Sequence, residues 1–95
     1  MRLVFRPEAE ADLVEIYDYI AEDSPVQAGK FVALIRSKCE PLRQYPQMGR
    51  SRDDLRPGLQ SLTVERYLVI YRALEDVVEI VSVVHGSRDI AALFQ

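Results

Sequence analysis

Residues 67–84 read YLVIYRALEDVVEIVSVV, and this stretch decides the fold. Two runs rich in β-branched and aromatic side chains, 67–73 and 77–84, flank a turn at Leu74-Glu75-Asp76. Such residues suit a pleated strand, whereas a helix crowds a branched Cβ against its preceding turn. Both runs are apolar at odd and even positions alike, so neither face of these strands suits water. They are expected at the centre of a sheet, with helices over one face and another element over the other. Just upstream, residues 59–64 (LQSLTV) read as the strand that precedes them.

Working back from there, residues 46–58 (PQMGRSRDDLRPG) are punctuated by Pro46, Gly49, Pro57 and Gly58 and read as a loop. Long loops in compact domains often carry function, and this one holds Arg50, Arg52 and Arg56. Before it lie two helical patterns. Ala9, Leu13, Ile16, Tyr17 and Ile20 form one face of a helix over residues 8–22, and Glu8, Glu10, Asp12, Glu15 and Asp18 occupy much of the opposite face. Ser24-Pro25-Val26-Gln27 starts a second helix, with Ser24 as cap and Pro25 at the first position. Ala28, Phe31, Val32, Ile35, Cys39 and Leu42 mark its buried face, and Pro41 ends or kinks it near Glu40. Asp23 alone separates the two helices, so they fold back as an antiparallel hairpin.

At the chain ends, residues 2–6 (RLVFR) read as a short first strand that Pro7 stops. Gly86 ends the last strand. Ser87 is expected to cap a short helix (RDIAALF) with Ile90, Leu93 and Phe94 pointing inward. The order β-αα-βββ-α gives an α+β class: a helical hairpin packed on a small antiparallel-dominated sheet, with a short C-terminal helix, as one domain over residues 1–95.

Composition narrows the function. At 48% hydrophobic and 28% charged residues the chain is a globular mixture, not a disordered one. No apolar run approaches the roughly 20 residues of a membrane helix, and no secretory h-region is visible. Cys39 is the only cysteine, which excludes an internal disulfide and a cysteine-based metal site and points to a reducing cytoplasm. The net charge of −3 is uneven: residues 1–23 carry −5, residues 24–72 carry +5, and residues 73–95 carry −3. The acidic whole disfavours specific nucleic-acid binding, while the basic middle suits a protein partner or a phosphate backbone.

Chemistry-bearing motifs are sparse. Neither a Gly-x-Ser-x-Gly elbow nor a glycine-rich phosphate loop occurs. His85-Gly86-Ser87-Arg88-Asp89 allows proton transfer at His85 with Asp89 orienting a cation; equally, Asp89 pairs with an arginine while His85 bonds to backbone. One histidine with one aspartate is too few ligands for structural zinc, and no cofactor is implied. Glu65, Glu75 and Glu79 read as a solvated strand face. Arg66 and Arg72 lie an even number of positions apart and are expected on one face. With Arg50, Arg52 and Arg56 they form either a basic rim or a set of local pairs with Asp53, Asp54 and Glu65.

Taken in order, Ala11-Asp12-Leu13…Ile16…Tyr19-Ile20, Ala28…Phe31, Tyr45-Pro46…Gly49-Arg50, Leu55-Arg56-Pro57-Gly58-Leu59, Tyr67-Leu68-Val69-Ile70-Tyr71-Arg72 and Val83-Val84-His85-Gly86-Ser87-Arg88-Asp89 resemble the ParE branch of the ParE/RelE toxin superfamily. The family fold agrees with the element order read above. The resemblance implies the toxin half of a type II toxin–antitoxin pair of the plasmid-stabilising kind, a cytoplasmic growth inhibitor whose target is DNA gyrase. It also implies a small cognate antitoxin, ParD-like or similar, whose tail orders across apolar surface on hairpin and sheet in a hetero-oligomer, with no membrane partner.

RelE-like members of the superfamily are ribosome-dependent mRNA endonucleases, and that activity is the alternative here. They resemble one another in an arginine just after an aromatic near the start of the third strand, another just after the fourth, and a terminal tyrosine. Those places fall here at Leu68, at about Ser87, and near Leu93 or Phe94. The resemblance therefore implies no catalytic residues. It leaves Arg50, Arg56, His85 and Arg88 to engage the target, expected together at one end of the sheet, with Arg52, Arg66 and Arg72 as the basic rim.

Overall fold

The structure, a computed structural model, describes residues 1–94. Strand β1 (Arg2–Phe5) leads into helices α1 (Pro7–Ala21) and α2 (Pro25–Cys39) and a 3-10 turn at Glu40–Arg43. Strands β2 (Arg50–Ser51), β3 (Leu59–Val64), β4 (Tyr67–Ala73) and β5 (Val77–His85) follow, and then the one-turn helix α3 (Ile90–Leu93). The sheet order is β1-β5-β4-β3-β2. Strand β1 runs parallel to β5 after the crossover through the helical hairpin, and every other pairing is antiparallel.

Prolines set the helix limits. Pro7 and Pro25 occupy first-turn positions, where a missing N–H costs nothing, and the Ser24 side chain accepts from the Gln27 N–H at 3.2 Å. Pro41 cannot continue α2, so the chain tightens into the 3-10 turn, which still delivers Leu42 to the core with no exposure. No helix among the described residues is long and apolar enough to cross a membrane.

Two apolar clusters lie on opposite faces of β4. Val69 and Tyr71 point toward the hairpin with Leu13, Ile35, Cys39, Val78 and Ile80. Ile70 points the other way and joins Leu59, Val84 and Ile90, with Leu55 and Phe94 packed against them. The expected second cover is therefore the C-terminal segment together with the loop before β3. Burying each such side chain contributes roughly 1.5–3 kcal/mol, so losing either cover strands part of the core in water.

Several details depart from the sequence reading. The loop at 46–58 contains β2, whose Arg50 and Ser51 pair with Ser61 and Gln60 and give the sheet a fifth strand. Asp89, not Ser87, caps α3, its Oδ1 accepting from the Ala92 N–H at 3.4 Å. Leu93 faces solvent instead of the core, because a single turn starting at Ile90 can aim only one of its sides at the sheet. Glu79 is not simply solvated: it accepts from Arg72 Nε at 2.8 Å and from Arg6 Nη1 at 3.3 Å, which joins β4 to β5 and to the end of β1. Arg72 and, to a lesser degree, Arg6 hold its carboxyl below the ordinary 4.5.

The sheet also bends at β5. Ile70 pairs with Ser82 but Tyr71 pairs with Ile80, leaving Val81 as an extra residue in a bulge. Ile80 and Val83 consequently share the hairpin face, while Val81 and Val84 share the other, spacings of three that strict alternation forbids. Strand β1 stops opposite Ile80, so the outer edge of β5 has no strand beside it from the bulge onward. Asp12 of α1 fills that gap. Its Oδ2 accepts from the Val83 N–H at 2.8 Å and from Ser82 Oγ at 3.0 Å, both part-buried. The acid expected on the solvated side of α1 is thus the clamp between helix and sheet.

Replacing Asp12 by alanine leaves the Val83 N–H without an acceptor. The expected loss is roughly 1.5–3 kcal/mol, the range for a hydrogen bond to a charged group. Urea unfolding of the two proteins measures it; a loss below about 0.5 kcal/mol, the scale of ordinary surface changes, would show that the clamp is incidental.

Candidate functional site

The antiparallel register fixes where each candidate cation sits. Val64 pairs with Tyr67, and Tyr67 pairs with His85, so the β3–β4 turn and the exit of β5 share one end of the sheet. Leu59 pairs with Arg72, and Arg72 with Glu79, so the loop that enters β3 lies at the other end. Arg50, Arg56, His85 and Arg88 accordingly do not gather at one end as expected. The reason is elementary: each hairpin reverses direction, so the entrance to β3 and the exit from β5 must be opposite. Arg66 and Arg72 are separated in the same way. Arg66 lies in the turn, outside the alternation of β4, and six residues of strand put the two roughly 20 Å apart.

At the first end an open cleft of about 570 Å³ is bordered by Tyr19, Ile20, Phe31, Arg66, Tyr67 and His85. The rings of Tyr67 and His85 meet edge to face with centroids 5.2 Å apart, and the Phe31 ring lies 5.4 Å from that of Tyr67. His85 Nδ1 accepts from the Ser87 N–H at 3.1 Å and lies 2.7 Å from Ser87 Oγ. Accepting at Nδ1 places the proton of the neutral ring on Nε2. Among the described residues the imidazole bonds to Ser87 alone, and Asp89 is engaged in capping α3. His85 therefore lacks the carboxylate that orients a proton-transfer histidine. The turn itself is held tightly: Glu65 sits at φ 53°, and the Gly86 N–H donates to the Arg66 carbonyl at 2.8 Å. A left-handed backbone at a non-glycine residue costs on the order of 1 kcal/mol.

The other cations divide by partner. Arg52 forms a two-pronged pair with Asp54, both bonds 3.1 Å. Arg72 is bound to Glu79. Arg56 lies over the Phe94 ring, 5.5 Å from its centroid, and donates through Nε to the Phe94 carbonyl. Arg50, Arg66 and Arg88 have no ion-pair partner among the described residues and are exposed. No three His, Cys, Asp or Glu side chains among the described residues gather as a metal ion would require.

Sequence reasoning missed Tyr71. Its side chain is fully buried, and its hydroxyl accepts from the Gly49 N–H and donates to the Pro46 carbonyl, each at 2.9 Å. Burial pushes the phenol above its ordinary value, which keeps the hydroxyl a donor. A Cβ on Gly49 would collide with that oxygen and lie 2.8 Å from the Ser61 carbonyl, so only glycine fits. The available signal was a tyrosine in a strand buried on both faces, whose hydroxyl must find a partner.

Over residues 3–90 the chain matches the family described as the ParE toxin of the type II toxin–antitoxin system parDE. It is 30% identical over 92 residues to Toxin ParE3 of Caulobacter vibrioides, covering 96% of this chain and 92% of that protein. It is also 31% identical over 88 residues to Toxin RelE2 of the same organism, covering 92% of this chain and 97% of that one. Among solved structures it resembles the chromosomal ParDE toxin–antitoxin system from P. aeruginosa, with a TM-score of 0.78 at 31% identity, over 90% of this chain and 95% of that chain.

Because Arg88 has no ion pair among the described residues and Asp89 serves as the cap without it, Arg88→Ala is expected to leave stability within about 0.5 kcal/mol of the parent. A thermal melt checks this. A large drop would mean that Arg88 fastens the C-terminal segment.

Proposed function

The chain belongs to the ParE toxin family and is the toxin of a type II toxin–antitoxin system; from that premise we propose that it arrests growth by binding DNA gyrase, without catalysing a reaction of its own, until a ParD-like antitoxin sequesters it. The observation that carries this reading is what occupies the places where RelE-like endonucleases keep their arginines. Leu68 packs into the second apolar cluster beside Ile70. Ser87 is tied to His85. Cleaving RNA requires charge stabilisation at the scissile phosphate and a group that moves a proton. A partly buried leucine supplies neither, and His85 has no orienting carboxylate among the described residues. One relative carries a RelE name, so these side chains carry more weight than overall identity does.

In this reading the exposed cations do the work of contact. Arg50 and Arg88 are available for a target surface, with Arg56 and His85 at the borders of their two regions. Their separation means that the target must present acidic groups over a broad face, as a large protein or protein–DNA assembly does. The antitoxin's tail orders across the hairpin, where Val14, Tyr19 and Val26 are exposed, and the complex forms in the cytoplasm.

Purified toxin is expected to inhibit supercoiling by gyrase. In a translating lysate it is expected to produce no toxin-dependent cuts when mRNA is mapped by primer extension. Cuts in the ribosomal A site with gyrase unaffected would assign the chain to the endonuclease branch instead.

A further inference from the structure

Strand β2 is two residues long and cannot hold its own place, since so short a pairing gives almost nothing beyond its chain-ordering cost. Something else must register Arg50 against β3. Tyr71 is placed to do so. A phenylalanine would fill the same core volume, so packing does not require the hydroxyl. That hydroxyl is satisfied entirely by main-chain groups of the arginine loop, accepting from the Gly49 N–H and donating to the Pro46 carbonyl. Glycine at 49 permits the close approach, with Ser61 of β3 pressing from the other side. The very next residue is Arg50, paired in register with Ser61. Downstream, the Arg52 N–H donates to the Leu59 carbonyl at 2.7 Å, which closes the segment. The backbone that carries Arg50 is therefore fixed from both sides while its side chain is exposed and, among the described residues, unpaired, an arrangement suited to contacting a partner with little ordering cost.

We propose that Tyr71 is a positioning residue for toxicity: its hydroxyl, buried in the core, latches the arginine loop so that Arg50 is held where it meets the target. This rests on the reading that Arg50 engages the target. It goes beyond that reading by assigning to a core side chain, on the hairpin face of β4, control over a surface contact at the sheet's far edge.

The test compares Tyr71→Phe, Gly49→Ala and Arg50→Ala with the parent. Potency is read as the induction level, at matched soluble protein, that arrests growth, so the readout does not presuppose gyrase. Amide hydrogen exchange, antitoxin affinity and thermal midpoint are measured on the same proteins. Tyr71→Phe is expected to stay folded and to bind antitoxin as the parent does. It should exchange faster only at Gly49 and its neighbours through Arg52, and should need about five- to tenfold more toxin for arrest, the scale of losing one good contact. Gly49→Ala, whose Cβ would press on both the Tyr71 hydroxyl and the Ser61 carbonyl, should lose at least as much potency and should also exchange faster at Ser61 of β3. Full potency in Tyr71→Phe with Arg50→Ala impaired overturns the latch and leaves the role of Arg50 standing. Full potency in Arg50→Ala overturns that role and the latch with it. A loss of potency in Tyr71→Phe that comes with equal losses of antitoxin affinity and of exchange protection throughout the sheet marks a general structural role, and it too overturns the proposal.

Discussion

The fold depends on covering β4 on both sides. Val69, Ile70 and Tyr71 are consecutive and fully buried, so the central strand has no face that water can wet. The helical hairpin is a broad cover for one face, while the other is closed by a single turn of helix, Phe94 and Leu55. This unequal arrangement accounts for the shape of the rest. The loop before β3 and the segment after β5 come from opposite ends of the sheet but must meet across the same face. Arg56, lying over Phe94, is where they do. A thin cover of this kind gives a small chain its second apolar cluster without another long element, and it keeps the arginine-bearing loop next to the core.

Polar groups complete what apolar packing begins. Asp12 and Tyr71 solve equivalent problems at two margins of the sheet. Asp12 supplies the acceptor that β1, being four residues long, cannot supply to the later part of β5. Tyr71 brings to the core a hydroxyl that must be satisfied, and the loop provides both of its partners. In each case a polar atom partly shielded from water turns a loose neighbour into a fixed one, because leaving such an atom unpaired costs more than the bond itself returns. The Glu79 bonds to Arg72 and Arg6 do the same at the start of β5, though in an exposed setting where they count for less.

Much of this was legible in the sequence. The limits of β3 and β4 follow from local runs of branched and aromatic residues, and the helix limits follow from Pro7, Pro25 and Pro41, all of which act within a few residues. Strand β2 was not legible, because it exists through contacts with Tyr71 and Ser61 that only the folded chain makes. The Val81 bulge was hidden too, since an all-apolar strand gives no alternation from which a slipped register can be read. The arginines were identifiable as candidates, but their fates were set by partners: Asp54 takes Arg52, Glu79 takes Arg72, and Arg50 is left exposed. The expectation that Arg50 and Arg56 share an end with His85 and Arg88 failed for a reason present in the connectivity itself, the reversal of direction at each of two hairpins.

The central claim is that this toxin acts by occupying its target and not by turnover. A titration of pure toxin against a fixed amount of gyrase, followed by addition of antitoxin, tests it most directly. The account predicts that inhibition of supercoiling grows with toxin until it matches the enzyme, and that excess antitoxin restores activity. Arrest of supercoiling at toxin concentrations far below that of gyrase, with no recovery on adding antitoxin, would contradict it.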